Sequence, residues 1–133
     1  MPRSDVHETR RRARSGLRVD WREFGLLKLS GYAVGKKSEL TPLQRRAVLN
    51  FVFLEDDLSD LEDAEYARQW GRPRSTKRLQ KMAESLSAFA RTARNRDDEA
   101  DFSVAIAHWE SDLTYLQETF GPRVRPFSWP SSR

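Results

Sequence analysis

The chain has 133 residues, of which 38% are hydrophobic and 33% are charged, and its formal net charge is +4. The absence of Cys excludes disulfides, thiolate catalysis and Cys-ligated zinc, and no apolar run approaches the roughly eighteen residues needed to cross a membrane. Length and composition therefore predict one globular, cytoplasmic domain with no membrane contact.

The excess positive charge lies at the two ends of the chain. Residues 1–19 hold six Arg and two acids, residues 121–133 hold three Arg and no acid, and residues 20–120 are left with a net charge of −3. We predict a flexible Arg-rich arm over residues 1–19, a single helical domain over 20–120, and an extended Pro-rich tail over 121–133.

The Arg-rich arm is a candidate for contact with phosphates. Arg10, Arg11 and Arg12 are consecutive, and clustered cations bind nucleic acid by releasing its counterions. A basic terminus is also an ordinary solubilising flank, and the sequence leaves both interpretations open.

Cap signals mark the first two predicted helices. Asp20 can cap a short helix that ends at Gly31. Thr41 and Gln44 form a capping box, with Pro42 at the first helical position. The residues that follow are apolar on almost all sides, which is typical of a helix buried in the middle of a bundle.

Three further helices follow in the chain. Ser59 or Asp63 caps a short helix, and Ser75 caps the clearest amphipathic helix of the sequence. The last helix is predicted to begin near Asp98 and to stop before Gly121. The sequence therefore predicts an all-α fold, a compact bundle of four to five helices whose last two form an antiparallel hairpin.

The tail after the last helix contains three prolines, which prevent a helix from continuing. Phe127 and Trp129 are its aromatic residues. We expect both to pack back on the helical body, and docking into a partner protein is the alternative.

Charge is sorted in blocks along the second half of the domain. Residues 72–96 carry eight basic side chains and one acid, whereas residues 55–65 and 97–118 contain acids and no Lys or Arg. Cations at the start of a helix oppose its dipole, and this unfavourable placement indicates a site for an anion. The candidate nucleic-acid or anion-binding residues are Arg72, Arg74, Lys77, Arg78, Lys81, Arg91 and Arg94, assisted by the arginines of the arm.

The same charges also have a purely structural interpretation. In an antiparallel hairpin, the basic side chains of one helix can form exposed ion pairs with the acids of the next. The cations concerned are Arg78, Lys81, Arg91 and Arg94, and the facing acids are Asp101, Glu110, Asp112 and Glu118.

Other chemistry is weakly indicated. Asp56, Asp57 and Asp60 have the spacing of a magnesium–diphosphate motif, but they fall at a helix end, where acids commonly cap the next helix. His108 and Asp112 are four residues apart on a helix and form one possible pair, not a metal site. We predict no catalytic residue, no metal ligand and no cofactor.

Three short patterns carry a family resemblance. They are Gly31-Tyr32-x-Val34-Gly35, Trp70-Gly71-x-Pro73-x-Ser75-x-x-Arg78-Leu79 and Trp109-x-x-Asp112-Leu113-x-x-Leu116. Over residues 24–120 the chain resembles a group of small uncharacterised bacterial and phage-type α-helical proteins. The resemblance implies a compact natural domain and carries no activity.

Two functional hypotheses follow from these observations. The first is a non-enzymatic binding module that recognises nucleic acid or an anionic surface through the basic helix face and the arm. The alternative is a protein–protein interaction module, such as an adaptor, an assembly subunit or a phage-type inhibitor, that uses the acidic segments or the aromatic tail.

Overall fold

The computed structural model describes residues 25–96 and 101–133, and these residues form five α-helices and no strand. The predicted all-α fold is confirmed. The arm of residues 1–19 and the predicted Asp20 cap lie outside the described residues. The helices are α1 (Leu26–Leu29), α2 (Pro42–Leu54), α3 (Ala64–Gln69), α4 (Thr76–Arg94) and α5 (Ser103–Phe120), and a 3-10 turn, Gly121–Arg123, follows α5.

Helix α2 begins with the predicted capping box. The Thr41 hydroxyl accepts a hydrogen bond from the Gln44 N–H at 3.2 Å, and the Gln44 side chain accepts one from the Thr41 N–H at 2.8 Å. Two of the N–H groups that a helix start leaves without partners are satisfied in this way. The apolar run of α2 is buried in the core as predicted, with Leu49 and Val52 fully inaccessible.

Side chains also cap α3 and α4. Asp63, and not Ser59, caps α3, because its carboxylate accepts the Tyr66 N–H at 3.0 Å. The Ser75 hydroxyl accepts the Arg78 N–H at 3.0 Å and so caps α4 as predicted.

Helix α5 starts later than the sequence indicated. It begins at Ser103, and residues 101 and 102 are not helical, so the predicted start near Asp98 is wrong. The Asp101 carboxylate accepts the Ser103 N–H at 2.9 Å and draws the backbone into a turn before the helix. The end at Phe120 is where the sequence placed it.

Helices α4 and α5 form the predicted antiparallel hairpin, and α2 packs across it. The ring of Phe89, late in α4, lies 5.7 Å from that of Trp109, early in α5. Phe120, at the end of α5, lies 4.5 Å from Phe53 of α2, centroid to centroid. The end of α2, the start of α4 and the end of α5 therefore meet at one end of the bundle.

The C-terminal segment packs back on this bundle. The rings of Phe127 and Trp129 stack at 4.7 Å, and both contact the hydrophobic core. The expectation that the aromatic residues fold back is confirmed. Residues 124–133 are extended along the surface of α4 and α5.

Candidate anion-binding surface

The loop before α4 is locked onto the end of α2. Arg74 has a φ of 67°, which is unusual for a residue with a side chain. Its N–H donates to the Phe53 carbonyl at 2.7 Å and its Nε–H donates to the Leu54 carbonyl at 3.2 Å. Two carbonyls that the helix end leaves without intrahelical partners are thereby satisfied.

Arg78 completes this cap from the interior. Its side chain is 0% exposed, and its guanidinium donates to the carbonyls of Val52, Asp56, Trp70 and Gly71. Arg78 is therefore not part of a surface for anions, and this part of the predicted site is wrong.

The sequence did contain a signal for the buried position of Arg78. It precedes Met82, Leu86 and Ala90 at four-residue steps, and all four positions are buried on one face of α4. Cations at the start of α4 oppose the dipole of that helix. This cost is partly offset because Arg74 and Arg78 also lie at the C-terminal, negative end of the α2 dipole.

Arg72, Arg74 and Lys77 remain at the surface around the start of α4. Among the described residues, neither Arg72 nor Lys77 forms an ion pair. Lys81 lies one turn further along α4, where its ammonium nitrogen is 5.9 Å from the centre of the Trp70 ring.

The C-terminal segment adds two cations that the sequence assigned to a separate tail. The Arg125 N–H donates to the Thr76 hydroxyl at 3.1 Å, which places this residue beside the first turn of α4. The Arg123 guanidinium lies 5.6 Å from the centre of the Phe120 ring at the same end of the bundle. Both side chains are exposed. We call the resulting cluster the cationic end: Arg72, Arg74, Lys77, Arg123 and Arg125.

Arg91 and Arg94 do not belong to this cluster. A helix rises about 1.5 Å per residue, so Arg94 lies about 27 Å from Thr76 along α4. Arg91 donates to the Ser131 carbonyl and Arg94 to the Ser132 carbonyl. The predicted basic face therefore divides into the cationic end and a contact with the C-terminal segment.

Glu110 of α5 also takes part in the contact at Arg94. Glu110 pairs with the Arg94 guanidinium at 2.9 Å and accepts a hydrogen bond from the Ser132 hydroxyl at 2.7 Å. The hydrogen bond from Ser132 is the largest cause that lowers the pKa of Glu110 below its usual value, and the contact with Arg94 is the next. We call Arg91, Arg94, Glu110 and their bonds to residues 131 and 132 the clasp.

The other predicted ion pairs across the hairpin do not form among the described residues. Asp101 pairs with Lys36 at 2.8 Å. Asp112 is fully buried, and its carboxylate binds Arg45 of α2 at 2.8 Å and accepts the Tyr32 hydroxyl at 2.6 Å.

The Tyr32–Arg45–Asp112 group is closed to solvent, since these three residues are 5%, 2% and 0% exposed. Burial, and then the Asp112 charge, raises the pKa of Tyr32. The phenol therefore stays protonated and donates to the carboxylate. This geometry supports the fold by joining the loop before α2 to α2 and α5.

His108 does not pair with Asp112 as its spacing suggested. Its Nδ1 accepts the Gly35 N–H at 3.1 Å. Burial, and then the nearby Arg45 charge, lowers the pKa of His108. The neutral ring fixes the loop that precedes α2 against α5.

The Asp-rich segment after α2 forms turns. The Asp56 carboxylate accepts the Leu58 N–H at 3.1 Å, and the Asp57 carboxylate accepts the Ser59 N–H at 3.0 Å. Over residues 25–96 and 101–133, no group of three or more His, Asp or Glu side chains is arranged to hold a metal ion.

No family model, curated protein or solved structure matches this chain. The resemblance to small bacterial and phage-type helical proteins stays a prediction. None of the helices in the described part of the chain combines the length and the apolar character needed to traverse a membrane.

Proposed function

We propose that the protein is a non-enzymatic module that binds nucleic acid through the cationic end, with little preference for sequence. The observation that supports this proposal is that cations from two distant parts of the chain lie at the same end of the bundle. Arg72 and Arg74 come from the loop before α4, Lys77 comes from its first turn, and Arg123 and Arg125 come from the segment after α5.

The surroundings of these cations favour contact with an external anion rather than with the protein's own carboxylates. The start of α4 contributes the positive end of a 19-residue helix and N–H groups without intrahelical partners. In the described ranges, Arg125 also forms no ion pair. A phosphate backbone supplies a row of negative charges that several exposed guanidinium groups contact together.

Contacts of this kind determine affinity and carry no base information. Phosphate contacts position a protein on nucleic acid, whereas base contacts read its sequence. We therefore expect similar affinities for oligonucleotides of unrelated sequence and a steep loss of affinity with added salt.

The test compares two charge-matched double variants. In Lys77→Gln/Arg125→Gln, two cations of the cationic end are removed; in Lys36→Gln/Lys37→Gln, two exposed cations of the loop before α2 are removed. That loop contacts Ala105, which is about 23 Å along α5 from Phe120. Both variants lower the net charge by two, so a general charge effect is the same in each.

The readout is the fluorescence anisotropy of a labelled oligonucleotide in low-salt buffer. We expect the first variant to bind at least about tenfold more weakly than the wild type, and the control to change by less than about threefold. Equal losses in the two variants, or a wild-type protein that does not bind, would contradict the proposal.

A further inference from the structure

The C-terminal segment is attached to α4 at two widely separated points. At one end, the Arg125 N–H is bound by the Thr76 hydroxyl at 3.1 Å. At the other end, the clasp holds Ser131 and Ser132 through Arg91, Arg94 and Glu110. We call residues 125–132 the strap.

The strap is extended between these points. Thr76 and Arg94 are about 27 Å apart along α4. The seven steps from residue 125 to residue 132 span at most about 23 to 25 Å when fully extended, and the long Arg94 side chain bridges the rest. Pro126 and Pro130 restrict the strap further, because proline fixes one backbone angle.

The middle of the strap is held by its aromatic residues. Phe127 and Trp129 stack on each other and contact the core, and the Trp129 ring lies 3.6 Å from the position that a Cβ on Gly121 would occupy. Residues 121–125 are therefore confined between the end of α5 and an extended strap.

We propose that the clasp is a positioning device for the cationic end. By holding residues 131 and 132, it keeps the strap extended and so fixes Arg123 and Arg125 beside the start of α4. Arg94 and Glu110 act as positioning residues, which set the affinity for an anion from about 27 Å away without touching it. This inference rests on the proposed function.

Simple electrostatics predicts the opposite effect of removing Glu110. Glu110→Gln raises the net charge by one, and a more positive protein attracts a polyanion more strongly. Loss of the clasp detaches the far end of the strap and so loosens the positions of Arg123 and Arg125, which weakens binding. The sign of the change therefore distinguishes the positioning role from a general charge effect.

The main experiment uses variants that keep the net charge. Arg94→Gln/Glu110→Gln removes the ion pair of the clasp. Lys36→Gln/Asp101→Asn removes another surface ion pair and serves as the control, since its side chains are 60% and 57% exposed. Anisotropy of a labelled oligonucleotide measures affinity as a function of salt, and amide hydrogen exchange measures protection of the Arg125 N–H.

We expect the clasp variant to bind roughly threefold or more weakly and to lose up to about 1.4 from its salt slope with a single-stranded oligonucleotide, because the phosphate contacts of Arg123 and Arg125 weaken. Protection of the Arg125 N–H falls as well, and the control changes neither quantity. Unchanged protection and an unchanged slope in the clasp variant would overturn the inference.

The design separates this inference from the proposed function. If the wild type binds no oligonucleotide, the proposed function fails, while Arg125 exchange still tests whether the clasp holds the strap. Ser132→Ala is a milder variant that removes only the hydroxyl bond to Glu110. It is expected to change both readouts in the same direction, and no change in Arg125 protection would count against the strap.

Discussion

Arg78 shows how one side chain can join three elements. Its guanidinium donates to carbonyls at the end of α2, at Asp56 and at the loop between α3 and α4. The five N–H donors of Arg form a rigid fork that suits such a set of carbonyls. The same residue, counted as a surface cation from sequence, is thus a central structural contact.

Replacing Arg78 tests this role. Arg78→Met keeps much of the side-chain volume and leaves several buried carbonyls without donors, so we expect the free energy of unfolding to fall by about 3 kcal/mol or more. The neighbouring exposed change, Lys77→Met, is expected to stay within about 0.5 kcal/mol. Urea denaturation followed by circular dichroism measures both, and equal losses would contradict the buried geometry.

His108 makes stability depend on pH. Its Nδ1 accepts a hydrogen bond from the Gly35 N–H, which requires the unprotonated ring. Burial and Arg45 lower its pKa in the folded state, whereas Asp112 opposes them; Tyr32 is the other titratable group of this cluster. As pH falls through the usual histidine pKa of 6.5, the unfolded state therefore binds more protons than the folded state.

The expected result is a loss of stability as pH falls from about 7 to 5. His108 takes up its proton more easily in the unfolded state, so falling pH stabilises that state relative to the folded one. In His108→Asn, the amide oxygen can accept the Gly35 N–H without titrating. The pH dependence of the unfolding free energy in this range should therefore be shallower in the variant. Parallel curves for the two proteins would show that His108 does not cause the dependence.

At the scale of helices, local signals predicted most of the boundaries. The Thr41 capping box, the Ser75 cap and the stop at Gly121 each depend on a few adjacent residues, and the structure confirms each of them. The start of α5 was missed because several acids before Ser103 are plausible caps, and only the folded chain shows that Asp101 binds the Ser103 N–H.

The capping box of α2 gives a quantitative test. Thr41→Ala removes the hydroxyl that accepts the Gln44 N–H, and we expect a loss of about 1 kcal/mol in the free energy of unfolding. Glu39→Ala, two residues earlier at an exposed position, is the control. Thermal or urea unfolding distinguishes the two, and a Thr41 variant as stable as the control would show that the cap contributes little.

The contacts that build the candidate site join residues far apart in sequence. Arg74 and Leu54 are 20 positions apart, and Arg125 and Thr76 are 49 apart. Helical periodicity identifies which face of a helix is buried, but it does not identify which residue of another element lies opposite. For this reason the sequence predicted part of the cationic end and placed Arg123 and Arg125 in a separate tail.

At the scale of the whole molecule, the fold brings to one end of the bundle cations that are far apart in the sequence. Residues 20–120 carry a net charge of −3, yet Arg72, Arg74 and Lys77 of this range lie with Arg123 and Arg125 of the C-terminal segment where α2 ends, α4 begins and α5 ends. Of the acids, Asp101 is paired with Lys36, and the buried Asp112 is paired with Arg45. An asymmetric charge distribution of this kind favours oriented binding of a polyanion.

The salt dependence of oligonucleotide binding by the wild-type protein tests this account most directly. If the cationic end contacts up to five phosphates, a plot of log affinity against log salt concentration has a slope of up to about −3.5 for single strands and about −4.5 for duplex DNA. Slopes of about −2 to these limits, similar for unrelated sequences, are the predicted result. A slope near zero, or no binding at low salt, would contradict the central claim.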